Sequence, residues 1–290
     1  MTTPPFFGRV LSMKKLFLLL TITITLLCGG CYESLFPPEK TAERIEPVSD
    51  IADEINYTEK GAKILVLNYH KVDHQEISLS VTPEDFDRQL RYIRDSGYHA
   101  ISMDDMYNAI AGTGELPPNP VLITFDDGYK DNYTNAYPIL KRHGFKATIF
   151  VISDFVGREN YMNWDELRAM AKDGFNIESH TATHESLTDI SDERLEHELA
   201  HSKKKIEEEI GREVNFLAYP TGAYNLHIAQ KVKDAGYKAA FTVKYGNTDV
   251  NSNIFALERV PVFHTENTMK SFVERLHYTP LLVSQGWQLR

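Results

Sequence analysis

Two adjacent carboxylates, Asp126 and Asp127, follow an apolar run at 121–125 and precede Gly128 and Tyr129. Side-by-side carboxylates repel, so the pair needs a cation, a proton or divergent directions. A metal ion that takes one and leaves the other as a base meets that need; an Asp-Gly turn with both groups solvated meets it without any chemistry. His180 and His184 stand four apart in His-Thr-Ala-Thr-His, close enough in a helical turn or tight loop to share one ion. The same spacing is also ordinary on a surface helix. Two His and one Asp leave coordination positions open for water and substrate, as a catalytic site requires. That donor set suits one divalent ion, zinc first, and admits cobalt, nickel or iron.

A rival site must be weighed, because His197-Glu198-Leu199-Ala200-His201 matches the H-E-x-x-H pattern of zinc proteases. Leu195, Leu199, Ile206 and Ile210 form one apolar stripe, and at about 100° per residue His197 and His201 fall on roughly the opposite side. With Glu196, Lys203, Lys204 and Lys205 around them, they read as a solvated face.

The elements that must position these residues are legible from periodicity. Short apolar runs at 64–69, 121–125, 147–152, 175–179, 214–219, 239–243 and 255–260 read as strands buried on both faces. Helical periods fill 83–96, 103–111, 132–143, 164–172, 192–210 and 227–235, with Thr82 and Ser191 as N-caps and Gly97, Gly144, Gly174, Gly211 and Gly236 as stops. Alternating strands and helices imply a parallel sheet. Seven strands point to a distorted or incomplete (β/α) barrel in the α/β class, with a doubly wound open sheet as the alternative. His70, the Asp126–Asp127 pair, the His180/His184 pair and Pro220-Thr221 each follow directly on a strand. In a parallel barrel all four points share the rim where active sites are built.

With those residues placed, the chain resembles the polysaccharide deacetylase family, carbohydrate esterase family 4, over about residues 63–265. Thr-Phe-Asp-Asp-Gly looks like its first motif and His-Thr-x-x-His like its second. The resemblance implies Asp126 as catalytic base, Asp127, His180 and His184 as metal ligands, and Thr221 as the residue lending a backbone N–H to the oxyanion. Two features depart from the pattern. The usual Arg two residues before Pro220 is Ala218, so another residue must steady Asp126, with Arg259 a candidate. The late Leu-x-His motif is not evident. In its place Val66-Leu67-Asn68-Tyr69-His70 is similar to an early Tyr-His of a permuted branch that includes poly-N-acetylglucosamine deacetylases, and segment 81–97 reads like that branch too. By that likeness His70 is the general acid, with His264 as rival.

The ends and the charge add a setting. Residues 1–30 carry Arg9, Lys14 and Lys15, no acid, and an apolar run of twelve residues at 16–27, short of the about 20 needed to span a bilayer. This reads as a secretory signal whose true start is Met13. The small residues before Cys31 resemble the lipobox of bacterial lipoproteins, which makes Cys31 a lipidated membrane anchor and 31–62 a tether to a domain at 63–290. Cys28 and Cys31 are the only cysteines, so an exported mature chain has no disulfide and depends on its core, for which about 225 residues suffice. The formal net charge is −10 for the whole chain and three units lower after cleavage, which argues against a nucleic-acid partner.

The function expected is metal-dependent removal of acetyl groups from an N-acetylated polysaccharide by an exported, lipid-anchored protein of the bacterial cell envelope. Tyr129, Tyr133, Trp164, Tyr219 and Tyr224 are candidates to stack on sugar rings. A non-catalytic carbohydrate-binding lipoprotein, which Ala218 favours, and a small-molecule metal-dependent amidase are the alternatives.

Overall fold

All seven apolar runs become strands in the computed structural model, which describes residues 63–264 and 268–277. The signal, the Cys31 anchor and the tether fall outside the described residues. In chain order the elements are β1 (Leu65–Tyr69), β2 (Lys71–Val72), β3 (Ser80–Val81), α1 (Pro83–Asp95), β4 (His99–Ala100), α2 (Met103–Ile110) and β5 (Pro120–Phe125). A π-turn (Asn132–Ala136) runs into α3 (Tyr137–His143), followed by β6 (Thr148–Val151), α4 (Trp164–Lys172), β7 (Asn176–Ser179), α5 (Asp192–Ile210) and β8 (Phe216–Ala218). A short 3-10 turn (Pro220–Gly222), α6 (Leu226–Asp234), β9 (Ala239–Tyr245), β10 (Leu257–Pro261) and α7 (Thr268–Leu276) complete the described chain.

β1 pairs with β5 on one side and β10 on the other, and parallel pairings from β5 through β6, β7, β8 and β9 to β10 close the ring. The result is a closed seven-stranded parallel barrel, and the open-sheet alternative falls away. The distortion expected from the sequence takes three forms: β8 has only three residues, the β9–β10 register shifts between Leu257 and Arg259, and β4 adds two residues to the start of β5. Helix α7 and the two-residue strands β2, β3 and β4 were not anticipated; two residues cannot show a period.

Because strand side chains alternate, each strand feeds two cores. Leu65, Leu67, Val121, Ile123, Ile149 and Val151 face outward onto Phe86, Leu90, Ile93, Leu140, Leu167, Leu199 and Val232 of the helices. On α1, Phe86, Leu90 and Ile93 sit at the i, i+4, i+7 positions of one stripe, each worth roughly 1.5–3 kcal/mol when buried. Val66, Leu122, Phe150, Phe216, Phe241 and Leu257 fill the interior, and Met103 and Met106 of α2 join them from the end where the strands begin. That end is plugged with apolar groups, so polar interior positions fall at the other end.

The inward set of β1 continues from Val66 to Asn68 and His70, that of β5 from Leu122 to Thr124 and Asp126, and that of β10 from Leu257 to Arg259. A local break serves the same rim. Pro138 has no N–H for the carbonyl of Thr134, the helical register slips, and the Tyr137 N–H bonds Asn132 O instead. The π-turn so formed places Asn132 Nδ2 2.8 Å from His70 O, while Asp131 Oδ1 accepts the Val72 N–H at 2.7 Å.

Candidate metal centre and active site

At the end of β5 the two carboxylates part company. Asp126 keeps the inward direction of its strand, its N–H donating to Tyr69 O at 2.9 Å. Asp127 then turns into the left-handed region at φ 71°, which sends its carboxylate toward β7. Gly128 follows at φ 76°, where an added Cβ would lie 3.0 Å from Val151 Cγ1, so both conformation and space favour glycine.

Inside the barrel Asp126 meets Arg259, whose side chain is fully buried. Nη1 donates to Oδ1 at 2.8 Å and Nη2 to Oδ2 at 2.7 Å. Two further donors are used, Nε on Thr242 O at 2.9 Å and Nη1 on Thr124 Oγ1 at 3.3 Å. Phe150 and Phe241 each have their ring centres 5.8 Å from the guanidinium carbon. Burial alone would raise the Asp126 pKa; the Arg259 charge, helped by His180 and His70, outweighs it and holds the carboxyl well below the usual range. Arg259 therefore takes the place left open by Ala218, two strands away from it in the ring.

Asp127, His180 and His184 converge from two loops. Asp127 Oδ1 lies 3.5 Å from His180 Nε2 and 3.4 Å from His184 Nε2, and one ligating atom from each of the three falls within 4.8 Å of the others. Two donors each about 2.0–2.1 Å from one tetrahedral ion are about 3.3–3.4 Å apart, so the carboxylate and imidazoles fit a zinc-sized divalent ion. His180 is buried, and its Nδ1–H donates to Ala218 O at 2.8 Å, which leaves the Nε2 lone pair free to ligate. Burial lowers its pKa more than Asp126 and Asp127 raise it, and a neutral imidazole is what a metal requires. Among the described residues no other three ligating side chains come together in this way.

The supports of this centre are strained. Of the six non-glycine residues with positive φ among the described residues, four are Asp127, Thr181, His184 and Thr221. Such backbone costs of order 1–3 kcal/mol at each position and persists where surrounding contacts over-determine it. Nothing in the residue types announces it.

His70 lies at the end of β1 with Nε2 4.0 Å from Asp126 Oδ2, on the rim with the other sites. His264 is exposed, and its backbone N–H donates to Ser78 O at 2.9 Å. Thr221 sits in the turn after β8 at φ 57°. The turn's own bonds run from Gly222 N–H to Tyr219 O and from Ala223 N–H to Pro220 O, so they do not use the Thr221 N–H. Gly222 has no room for a side chain: a Cβ would lie 2.3 Å from Val243 Cγ2.

The rival motif does not assemble. His197 and His201 are exposed and stacked on each other at 4.8 Å between centroids, while Glu198, on an adjoining side of the helix, is buried. Of the five candidate stacking aromatics, Tyr219 is core, its hydroxyl bonded to Phe255 O at 3.0 Å. Tyr129, Tyr133 and Trp164 are half-buried, and Tyr224 is exposed, its ring lying nearly parallel to Tyr219 at 5.2 Å. Sequence reasoning missed Glu198 as a buried group, although its place three residues after Leu195 and one before Leu199 puts it beside the apolar stripe.

Comparison with known proteins bears on the same residues. The family model for polysaccharide deacetylases matches residues 113–240, which include Asp126, Asp127, His180, His184 and Thr221 and exclude His70 and Arg259. YxkH of Bacillus subtilis (strain 168), a protein classed with the polysaccharide deacetylases, is 33% identical over 225 residues, covering 78% of this chain and 80% of its own. The poly-beta-1,6-N-acetyl-D-glucosamine N-deacetylase of Staphylococcus aureus (strain MSSA476) is 28% identical over 240 residues, covering 73% of this chain and 82% of its own. Among solved structures, the Streptococcus pyogenes deacetylase PplD in complex with acetate superposes with a TM-score of 0.71 at 26% identity, over 75% of this chain and 100% of that one.

Proposed function

Since the chain belongs to the polysaccharide deacetylase family, we propose that it hydrolyses N-acetyl groups of an N-acetylglucosamine-containing envelope or extracellular polysaccharide, such as poly-N-acetylglucosamine or peptidoglycan, and releases acetate. The observation that carries this reading is the convergence of Asp127, His180 and His184 at ligand spacing, with Asp126 and His70 beside them on the same rim.

Asp127, His180 and His184 would hold a divalent ion, which would supply Lewis acidity and lower the pKa of water from about 15.7 toward roughly 7. Zinc suits the donor set, and cobalt, nickel or iron would also fit. Asp126 is the base that takes the proton from the attacking water. Arg259 keeps that carboxylate ionised and aimed, at the cost of some basicity, since a depressed pKa weakens the pull on a proton. Attack on the acetamide carbonyl puts negative charge on its oxygen, and the Thr221 N–H, which the bonds of its own turn do not use, is the donor assigned to it in this reading. His70 then gives a proton to the departing amine, which leaves poorly as an anion. The products are acetate and a free glucosamine amine.

The setting we propose is the bacterial cell envelope, with the exported chain anchored to a membrane through a lipidated Cys31. Among the described residues no helix is long and apolar enough to cross a membrane. The carbohydrate-binding alternative rested on the missing Arg at Ala218, and Arg259 removes that ground. Acetate and free-amine release measured on poly-N-acetylglucosamine, peptidoglycan and chitin oligomers tests the reading. Turnover on none of the three by metal-loaded protein, with turnover on a small acetamide, would favour the amidase instead.

A further inference from the structure

Glu198 of α5, the central acid of the H-E-x-x-H sequence, has no exposed side-chain surface. A carboxylate so far from water is tolerated only with charged and hydrogen-bonded partners. Its partners lie in the metal loop. Oε2 accepts the Thr183 backbone N–H at 2.8 Å and Oε1 accepts the Thr183 hydroxyl at 2.7 Å. Arg194 Nη2 donates to Oε1 at 2.8 Å and also reaches Thr183 Oγ1 at 3.0 Å. Arg194 is in turn held by Glu185 through Nε at 2.9 Å.

Thr183 directly precedes His184. The earlier part of the loop is fixed by the segment after β6: Ser153 N–H donates to Thr181 O and Asp154 N–H to Ala182 O, at 3.1 and 3.0 Å. His180 has the Ala218 carbonyl behind its ring; no described group stands behind the His184 ring in that way. His184 is also the most exposed of the three ligands, its side chain 32% accessible, and it sits at φ 66°. Its direction therefore depends on its backbone. That backbone is held by its own N–H on Thr181 Oγ1 at 3.1 Å and by the two Glu198 bonds one residue earlier.

We propose that Glu198, with Arg194, is a positioning residue that clamps Thr183 and so sets His184 in its ligating direction. This rests on the reading that Asp127, His180 and His184 hold a divalent ion. It gives the H-E-x-x-H helix a part in metal retention in which neither of its histidines is a ligand.

The test is a titration of the metal-stripped full chain with zinc against a competing chelator, and with cobalt read by its visible absorption. Glu198→Ala should weaken metal binding by about 10- to 100-fold, the loss expected for a group that orients a ligand, and should change the cobalt spectrum while circular dichroism still reports a folded chain. Glu198→Gln should lose less, because its carbonyl still accepts the Thr183 N–H. Where the Glu198 variants fail to fold, Thr183→Val decides, since it deletes only the hydroxyl bonds. Weaker binding by that variant supports the clamp, and wild-type affinity with a wild-type cobalt spectrum overturns it. A wild-type chain that takes up neither ion overturns the metal reading and the role of Glu198 with it. A wild-type chain that binds, alongside folded Glu198 variants that bind equally, overturns the role of Glu198 alone.

Discussion

The Arg259 guanidinium lies fork-to-fork on the Asp126 carboxylate, 2.8 and 2.7 Å along its two arms, with both side chains removed from water. The pair joins β10 to the end of β5, 133 residues away in sequence. Removing one partner of such a pair leaves an uncompensated charge in the interior, typically a loss of about 3–5 kcal/mol. Arg259→Met should therefore destabilise by that order in urea unfolding near neutral pH, and it should also lower kcat. Adding Asp126→Asn should recover a large part of the stability but none of the activity. Because the Asp126 pKa is depressed in the folded protein, the pair's contribution is full above the unfolded value of about 3.9 and fades as pH falls below it. Wild type and Arg259→Met should converge in acid. Additive effects of the two substitutions would mean the contact carries no coupling.

Arg259 also marks the limit of what the sequence discloses. The seven strands and the rim positions of His70, Asp126, Asp127, His180 and His184 follow from burial patterns and from polar residues placed directly after apolar runs. The partner of Asp126 follows only as a candidate, Arg259, which the structure bears out; an interior arginine two strands from the usual position leaves little local mark in a run such as Leu257–Pro261. The turns at Asp127, Thr181, His184 and Thr221 were hidden for another reason. Residues with side chains take positive φ uncommonly, and part of what holds the loop bearing His184 comes from a distant segment, Glu198 of α5. Glu198 is the reverse case, since its place beside the apolar stripe of Leu195 and Leu199 is readable from the sequence alone.

Metal content should separate base from ligands. Asp126→Asn is expected to keep about one equivalent of divalent metal and lose turnover, whereas His180→Ala and His184→Ala lose both. His180→Ala should be the more damaging to stability, because it also strips the Ala218 carbonyl of its donor. Elemental analysis after dialysis against a chelator, then activity on re-addition of zinc or cobalt, checks this. Full activity in demonstrably metal-free protein would end the mechanism, and metal loss from His197→Ala/His201→Ala would move the site to α5.

Tyr224 is exposed near the Thr221 turn and its ring lies nearly parallel to Tyr219 at 5.2 Å; a sugar face stacked on it is the contact to be tested. Tyr224→Ala should raise KM on a polymer several-fold, about 1 kcal/mol of stacking, and leave kcat nearly unchanged. An equal effect on a monomeric acetamide would show that the ring contacts no neighbouring sugar.

Cys31→Ser should shift the protein from membrane to soluble envelope fractions without loss of catalytic rate, since Cys31 and the domain are separated by a proline- and glutamate-containing stretch. Fatty-acid labelling is the direct measurement. Label retained by the variant would place the anchor at another residue.

His70 is the residue whose role can be isolated most cleanly, because an acid is needed only where the leaving group is poor. Its main-chain carbonyl is held by Asn132 Nδ2 at 2.8 Å and its Nε2 stands 4.0 Å from Asp126 Oδ2, so it sits next to the proposed base. An acetamide expels an amine that must be protonated as the bond breaks; an activated ester expels an anion stable on its own. His70→Ala should therefore cut kcat on acetamides by about 10²- to 10⁴-fold with metal content intact, and an activated acetate ester should lose far less. His264, exposed and beyond the end of β10, should tolerate replacement by Ala on both substrates. Equal losses on amide and ester in His70→Ala would assign His70 to binding or to the attack step, and an amide-selective defect in His264→Ala would transfer the acid to that residue.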